Sequence, residues 1–174
     1  MNVVLECMKT RRSVRGYCPD RMPDMELVNQ VIEAGIYAPT GMGMQSPIII
    51  AVTNKAVRDR LSQINAEVMG TKADPFYGAP VVLVVLANRE RSTYLYDGSL
   101  VMGNLLNAAH AVGLGSCWIH RAKEVFYSDE GKAMLKVWGV DGDYEGIGHC
   151  VLGYPLNDSQ APKPRKNDYV RYVK

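Results

Sequence analysis

Gly78-Ala79-Pro80-Val81-Val82-Leu83-Val84-Val85-Leu86-Ala87 is an apolar run of strand length entered through a turn, and the fold class hinges on it. A short continuous apolar run bounded by turn residues is a strand buried on both faces. Upstream, Lys55 to Met69 reads as a helix, and Ile48 to Thr53 is a second β-branched run, hence another buried strand. Before it, Pro23 suits the first turn of a helix in which Leu27, Val28, Val31 and Ile32 share one face. That helix stops near Ala38-Pro39, because proline biases the preceding residue away from helical angles. Val3 to Lys9 suits a short opening helix.

Downstream, Asp97 to Gly113 is rich in Gly, Ala, Leu and Met, which predicts a buried central helix. Its small residues (Gly98, Ser99, Gly103, Ala108, Ala109) admit close neighbours. A strand at Ser116 to Ile119, a helix around Asp129 to Val137 and a strand from His149 to Tyr154 follow. With Pro155, Pro162 and Pro164 the chain then runs extended, and residues 160–174 form a tail on a single domain spanning 1–174. Within that tail Asn167 to Lys174 alternates as an edge strand would, and it is apolar enough to dock on a second copy. Strands mixed with longer helices give an α+β or α/β sandwich.

The 174 residues are 47% hydrophobic and 22% charged, enough to bury a core and too apolar for global disorder. No apolar run reaches the roughly 18 residues of a membrane helix. The start, MNVVLECMKTRR, lacks the pattern of a secretory signal, so the expected location is cytoplasmic. Cys7, Cys18, Cys117 and Cys150 form no CxxC pair and read as buried thiols. The net charge of +2 argues against a nucleic-acid partner, but its distribution is uneven. Lys9 to Arg21 and Ala161 to Lys174 each hold five basic residues and one acid. If the two segments meet, they make a site for a small doubly charged anion such as phosphate. On charge alone, two solvated ends are the simpler reading.

Several familiar signals are absent. Gly41-Met42-Gly43 and Gly113-Leu114-Gly115 are only halves of a dinucleotide fingerprint, and there is no phosphate loop of the GxxxxGKS/T type. His110, His120 and His149 have no partners at metal-ligand spacing, so no metal is expected. No serine sits in a G-x-S-x-G elbow.

Arg11-Arg12-Ser13-Val14-Arg15-Gly16-Tyr17 follows the first helix, and in an extended segment Arg11, Ser13 and Arg15 address one side. This run is followed in order by Ala38-Pro39-Thr40-Gly41 with Gln45, by Gly78-Ala79-Pro80, by Gly113-Leu114-Gly115-Ser116-Cys117-Trp118-Ile119, and by Gly148-His149-Cys150-Val151-Leu152-Gly153-Tyr154-Pro155. The ordered set, from about residue 3 to about residue 166, resembles the nitroreductase family.

The resemblance implies an α+β three-layer sandwich with a central, mostly antiparallel sheet, and a homodimer with FMN at the subunit interface. It implies that Arg11, Arg12, Ser13 and Arg15 hold the FMN phosphate and ribityl chain, joined by Lys163 and Arg165. Pro39, Thr40, Gly41 and Gln45 match the loop that borders the flavin ring from the partner. Ile119, His120 and Arg121 match the segment lying against the ring, with the side-chain role of His120 left open. Two departures stand out: Gly43 replaces a usual Asn, and Ser46-Pro47 a usual Pro-Trp. The stretches between Leu61 and Tyr77 and between Arg121 and Tyr144 leave little room for extra covering helices, which implies an open pocket.

The implied activity is that of an FMN-dependent oxidoreductase carrying hydride from NADH or NADPH to an acceptor such as a nitro compound or quinone. The flavin does the chemistry, so no side chain need be catalytic. The alternative is a flavin-binding protein without turnover, a sensor or storage module.

Overall fold

The computed structural model describes residues 2–157 and 161–174, so residue 160, where the expected tail begins, lies outside the described residues. Eight regular elements precede the last helix pair and strand. They are α1 (Val3–Thr10), α2 (Met25–Ile36), a 3-10 turn (Gly41–Gly43), β1 (Pro47–Val52), α3 (Lys55–Met69), β2 (Val81–Asn88), α4 (Tyr94–Ala111) and β3 (Gly115–Ile119). Then come α5 (Ala122–Tyr127), α6 (Asp129–Val137) and β4 (Tyr144–Gly153). The four strands form one antiparallel sheet in the order β1-β2-β4-β3.

β2 is the keystone. Each residue from Val81 to Ala87 is fully buried, and alternate side chains feed two separate cores. Val82, Val84 and Leu86 pack with Leu61, Ile64, Phe76, Val125 and Phe126 beneath α3 and α5. Val81, Leu83, Val85 and Ala87 pack with Val28, Val31, Met102 and Leu105 of α2 and α4. Helices therefore cover both faces, which makes the three-layer α+β sandwich. Among the described residues no helix is long and apolar enough to cross a membrane.

The structure corrects several expectations. The run Ile48 to Thr53 is not the buried strand its composition suggests: β1 is an edge strand and only Val52 is buried, since β-branched residues also suit a half-covered surface. Pro23 precedes the helix boundary residue Asp24 and lies outside the first turn of α2. α4 buries one face only, with Leu95, Tyr96 and Leu100 exposed. β4 starts at Tyr144, earlier than expected, because Glu145, Gly146 and Gly148 hide its period. The helix α5 has no counterpart among the expected elements. Cys117 and Cys150 are buried thiols, whereas Cys7 and Cys18 are half-exposed. Residues 161–174 form no strand within the chain, and Tyr169, Val170, Tyr172 and Val173 are exposed.

Candidate functional site

The segment after α1 is laced to the sheet. Arg11 caps the helix, and Val14 N–H then donates to the Ser116 carbonyl at 2.9 Å. Further on, Cys18 N–H donates to Tyr154 O and Leu156 N–H to Gly16 O, both at 3.0 Å. Glycines permit this closeness: a Cβ at Gly115 would meet Val14 at 3.0 Å, and one at Gly153 would meet Tyr17 at 2.8 Å. Residues 11–16 are thereby fixed against the start of β3 and the chain leaving β4.

Beside them lies a cavity of about 490 Å³, lined by Arg11, Arg12, Ser13, Val14, Arg15, Gly16, Asn157, Ala161, Pro162, Lys163 and Arg165. All six residues expected at a phosphate from the two basic segments are brought together there. Five are cations, and among the described residues no carboxylate lines the cavity. Arg11 Nη1 and Arg12 Nε are buried and have no hydrogen-bond partner among the described residues, a costly state for a charged donor set. The local field is positive enough to act on a neighbour. His110, in contact with Thr10 at 2.9 Å, is held below its ordinary pKa by burial and by Arg11 and Arg12.

The other expected residues lie elsewhere. β3 starts beside the cavity wall, where Ser116 O takes the Val14 N–H, and carries Ile119 about 10 Å further along, three residues at roughly 3.3 Å each. Ile119 is buried, so it can offer only its backbone, whereas His120 is exposed. Arg121 has left-handed backbone (φ 78°) and pairs with Glu124 at 2.8 Å. Pro39, Thr40, Gly41 and Gln45 precede β1, the opposite edge of the sheet. Three inter-strand spacings, roughly 14 Å, separate that edge from β3. One chain does not bring this loop to the Ile119–Arg121 segment.

Two buried acids are not marked out by any motif in the sequence. Asp97, 2% exposed, accepts from Gly41 N–H (2.9 Å), the Ser46 hydroxyl (2.7 Å) and the Thr93 hydroxyl (3.0 Å). Burial pushes its pKa up, but these donors outweigh burial and hold it below the usual carboxylate range. Glu145 accepts from the Tyr127 hydroxyl at 2.6 Å and lies 3.1 Å from Lys123 Nζ, tying α5 to the start of β4. A signal for Asp97 does exist: it is an acid in a helix otherwise nearly free of charge. Among the described residues no cluster of His, Cys, Asp and Glu could hold a metal ion.

Residues 8–154 match the profile of the Nitroreductase family. Two archaeal proteins provisionally named NADH dehydrogenase/NAD(P)H nitroreductase are similar. The one from Methanothermobacter thermautotrophicus is 29% identical over 119 residues, which are 66% of this chain and 59% of that relative. The one from Archaeoglobus fulgidus is 28% identical over 162 residues, 88% of this chain and 87% of the relative. Among solved structures, the FMN-bound nitroreductase of Bacteroides fragilis superposes with a TM-score of 0.89 at 27% identity, each chain fully covered. That of Desulfitobacterium hafniense, also with bound FMN, has a TM-score of 0.88 at 25% identity, again over both whole chains.

Proposed function

This chain belongs to the nitroreductase family, and from that premise we propose that it is an FMN-dependent oxidoreductase, moving reducing equivalents from NADH or NADPH to a small acceptor such as a nitro compound or quinone. The observation that carries the reading is the cavity where the two basic segments meet, lined by five cations and, among the described residues, by no acid. A phosphate monoester fits that donor set, since guanidinium forks and a serine hydroxyl match its oxygens. Arg11 Nη1 and Arg12 Nε, buried without a partner among the described residues, support the same reading.

When bound, FMN supplies the redox chemistry, accepting hydride from the nicotinamide and releasing electrons to the acceptor. The chain's residues bind and orient. Arg11, Arg12, Ser13, Arg15, Lys163 and Arg165 hold the phosphate end. β3 leads from there to Ile119, His120 and Arg121, whose backbone groups would meet the ring end, and the Arg121 guanidinium, now paired with Glu124, would stabilise negative charge there on turning to it. Pro39, Thr40, Gly41 and Gln45 serve the ring of a second copy, in keeping with their place on the far edge of the sheet.

A homodimer also accounts for the exposed apolar surface. Val3, Val4, Leu5 and Met8 of α1 are exposed, as are Ile36, Tyr37 and Met42. An apolar cavity of about 350 Å³ lies between α1 and α4, with Val3, Val4, Met8 and Ala108 in its wall. Tyr169, Val170, Tyr172 and Val173 would be covered by crossing to the partner. Truncation after Lys166 should then weaken both dimerisation and flavin retention. Sedimentation and the flavin-to-protein ratio measure this, and a truncated protein that stays dimeric and yellow at micromolar concentration refutes the crossed tail.

The visible spectrum of the purified protein tests the main reading. Flavin bands should be present or appear on adding FMN, bleach with NADH or NADPH without oxygen, and return with quinone. A protein that stays colourless and refuses FMN overturns the proposal. Flavin binding without bleaching leaves a flavin-binding protein without turnover.

A further inference from the structure

We propose that Asp97 is a positioning residue for the flavin site, a carboxylate that pins both ends of the 41–46 loop in the shape that meets the ring. The inference rests on the FMN reading for what the loop touches, but the pinning itself is visible in the protein alone. Oδ1 of Asp97 takes the Gly41 N–H at the start of the loop, and Oδ2 takes the Ser46 hydroxyl at its end. Thr93, just before α4, adds a third donor to Oδ2.

The loop needs such a clamp. Met42 (φ 53°), Gly43 (φ 66°) and Gln45 (φ 49°) have left-handed backbone, which is uphill for the two residues that carry a Cβ. Met42, Gly43, Met44 and Gln45 are exposed, so little packing holds them. Within the loop one side-chain hydrogen bond helps, from Gln45 N–H to the Thr40 hydroxyl at 3.0 Å. The seat is also tight, because a Cβ at Gly41 would lie 2.4 Å from the Thr93 hydroxyl oxygen. Among the described residues Asp97 has no Lys, Arg or His partner; all its hydrogen bonds go to the loop and to the helix start that supports it. A buried carboxylate with this partner set determines where Thr40, Gly41 and Gln45 sit.

The test compares Asp97→Ala with Asp97→Asn in the full-length protein. Asn keeps an oxygen for the Gly41 N–H, and the two hydroxyls can turn to accept from its amide. Hydrogen exchange in the flavin-free protein reads the clamp directly. Asp97→Ala should speed exchange at Gly41 and Gln45 by ~10- to ~100-fold, the loss of a hydrogen bond to a charged group, and Asp97→Asn should restore most of it. With FMN bound, the KM for a quinone should rise ~10-fold in Asp97→Ala with kcat much less affected, and recover in Asp97→Asn.

Unchanged exchange at Gly41 in Asp97→Ala overturns the proposal. So does faster exchange with an unmoved KM, which would leave a purely structural role. If Asp97→Ala fails to fold, Ser46→Ala, which removes one of the two pins, should speed exchange across residues 41–46, and no change there is equally fatal. Wild-type protein that refuses FMN defeats the functional reading but leaves the exchange result intact, so the two failures are distinguishable.

Discussion

Arg15→Ala and Arg165→Ala will each weaken FMN binding by ~10- to ~100-fold, because each removes a charge-assisted bond worth roughly 1.5–3 kcal/mol. The two side chains come from different segments but line one cavity. On the proposed reading both act on the same phosphate, so the double variant should lose at least ~100-fold, with coupling between the sites showing as departure from additivity. Riboflavin, which lacks the phosphate, should bind each variant as it binds wild type. Flavin fluorescence titration gives all these constants. Equal losses for FMN and riboflavin would place the arginines at some other task.

The walls of that cavity are marked in the amino-acid sequence by basic residues concentrated in two distant segments, although charge alone favours two solvated ends. What charge cannot settle is whether the segments meet, since two solvated ends have the same composition. The meeting depends on close packing of Val14 against Gly115 and of Tyr17 against Gly153, contacts that no spacing reveals. β2 is legible because seven consecutive apolar residues have few other uses. β1 misleads because β-branched residues mark a pleated surface without saying how many sides are covered. α5 escapes because a six-residue helix is too short for its period to show. Asp97 escapes for a different reason. Its meaning lies in partners over 50 positions away, at Gly41 and Ser46.

His149 makes acid the weak side of this fold. Its ring is fully buried between Phe76 and Phe126, with centroids 5.2 and 5.9 Å away. Neither ring nitrogen has a hydrogen-bond partner among the described residues. Burial drives its pKa from the ordinary 6.5 down to about 3, and the Ile119 backbone, short of hydrogen-bonding geometry, does not reverse that. The folded chain therefore binds fewer protons than the unfolded chain throughout that window. The sign follows: stability is full above pH 6.5 and falls as pH drops towards 3, by about 3 kcal/mol between pH 7 and pH 4. Depressed carboxylates such as Asp74 and Asp97 add to the same slope, so the measurement is a difference. Urea midpoints of wild type and His149→Leu at pH 7 and pH 4 should show the variant losing far less. Parallel losses in both proteins would acquit the histidine.

The cavity's two walls also have different birthdays. Arg11 to Arg15 leave the ribosome early, whereas Lys163 and Arg165 are added about 150 residues later, roughly 10–30 s at ordinary rates of synthesis. A chain made only as far as β4 carries three of the five cations that line the cavity. On the proposed reading, a product terminated before residue 163 lacks Lys163 and Arg165 and would hold the cofactor more weakly. Firm retention of the yellow cofactor would thus double as a report that synthesis had passed residue 165.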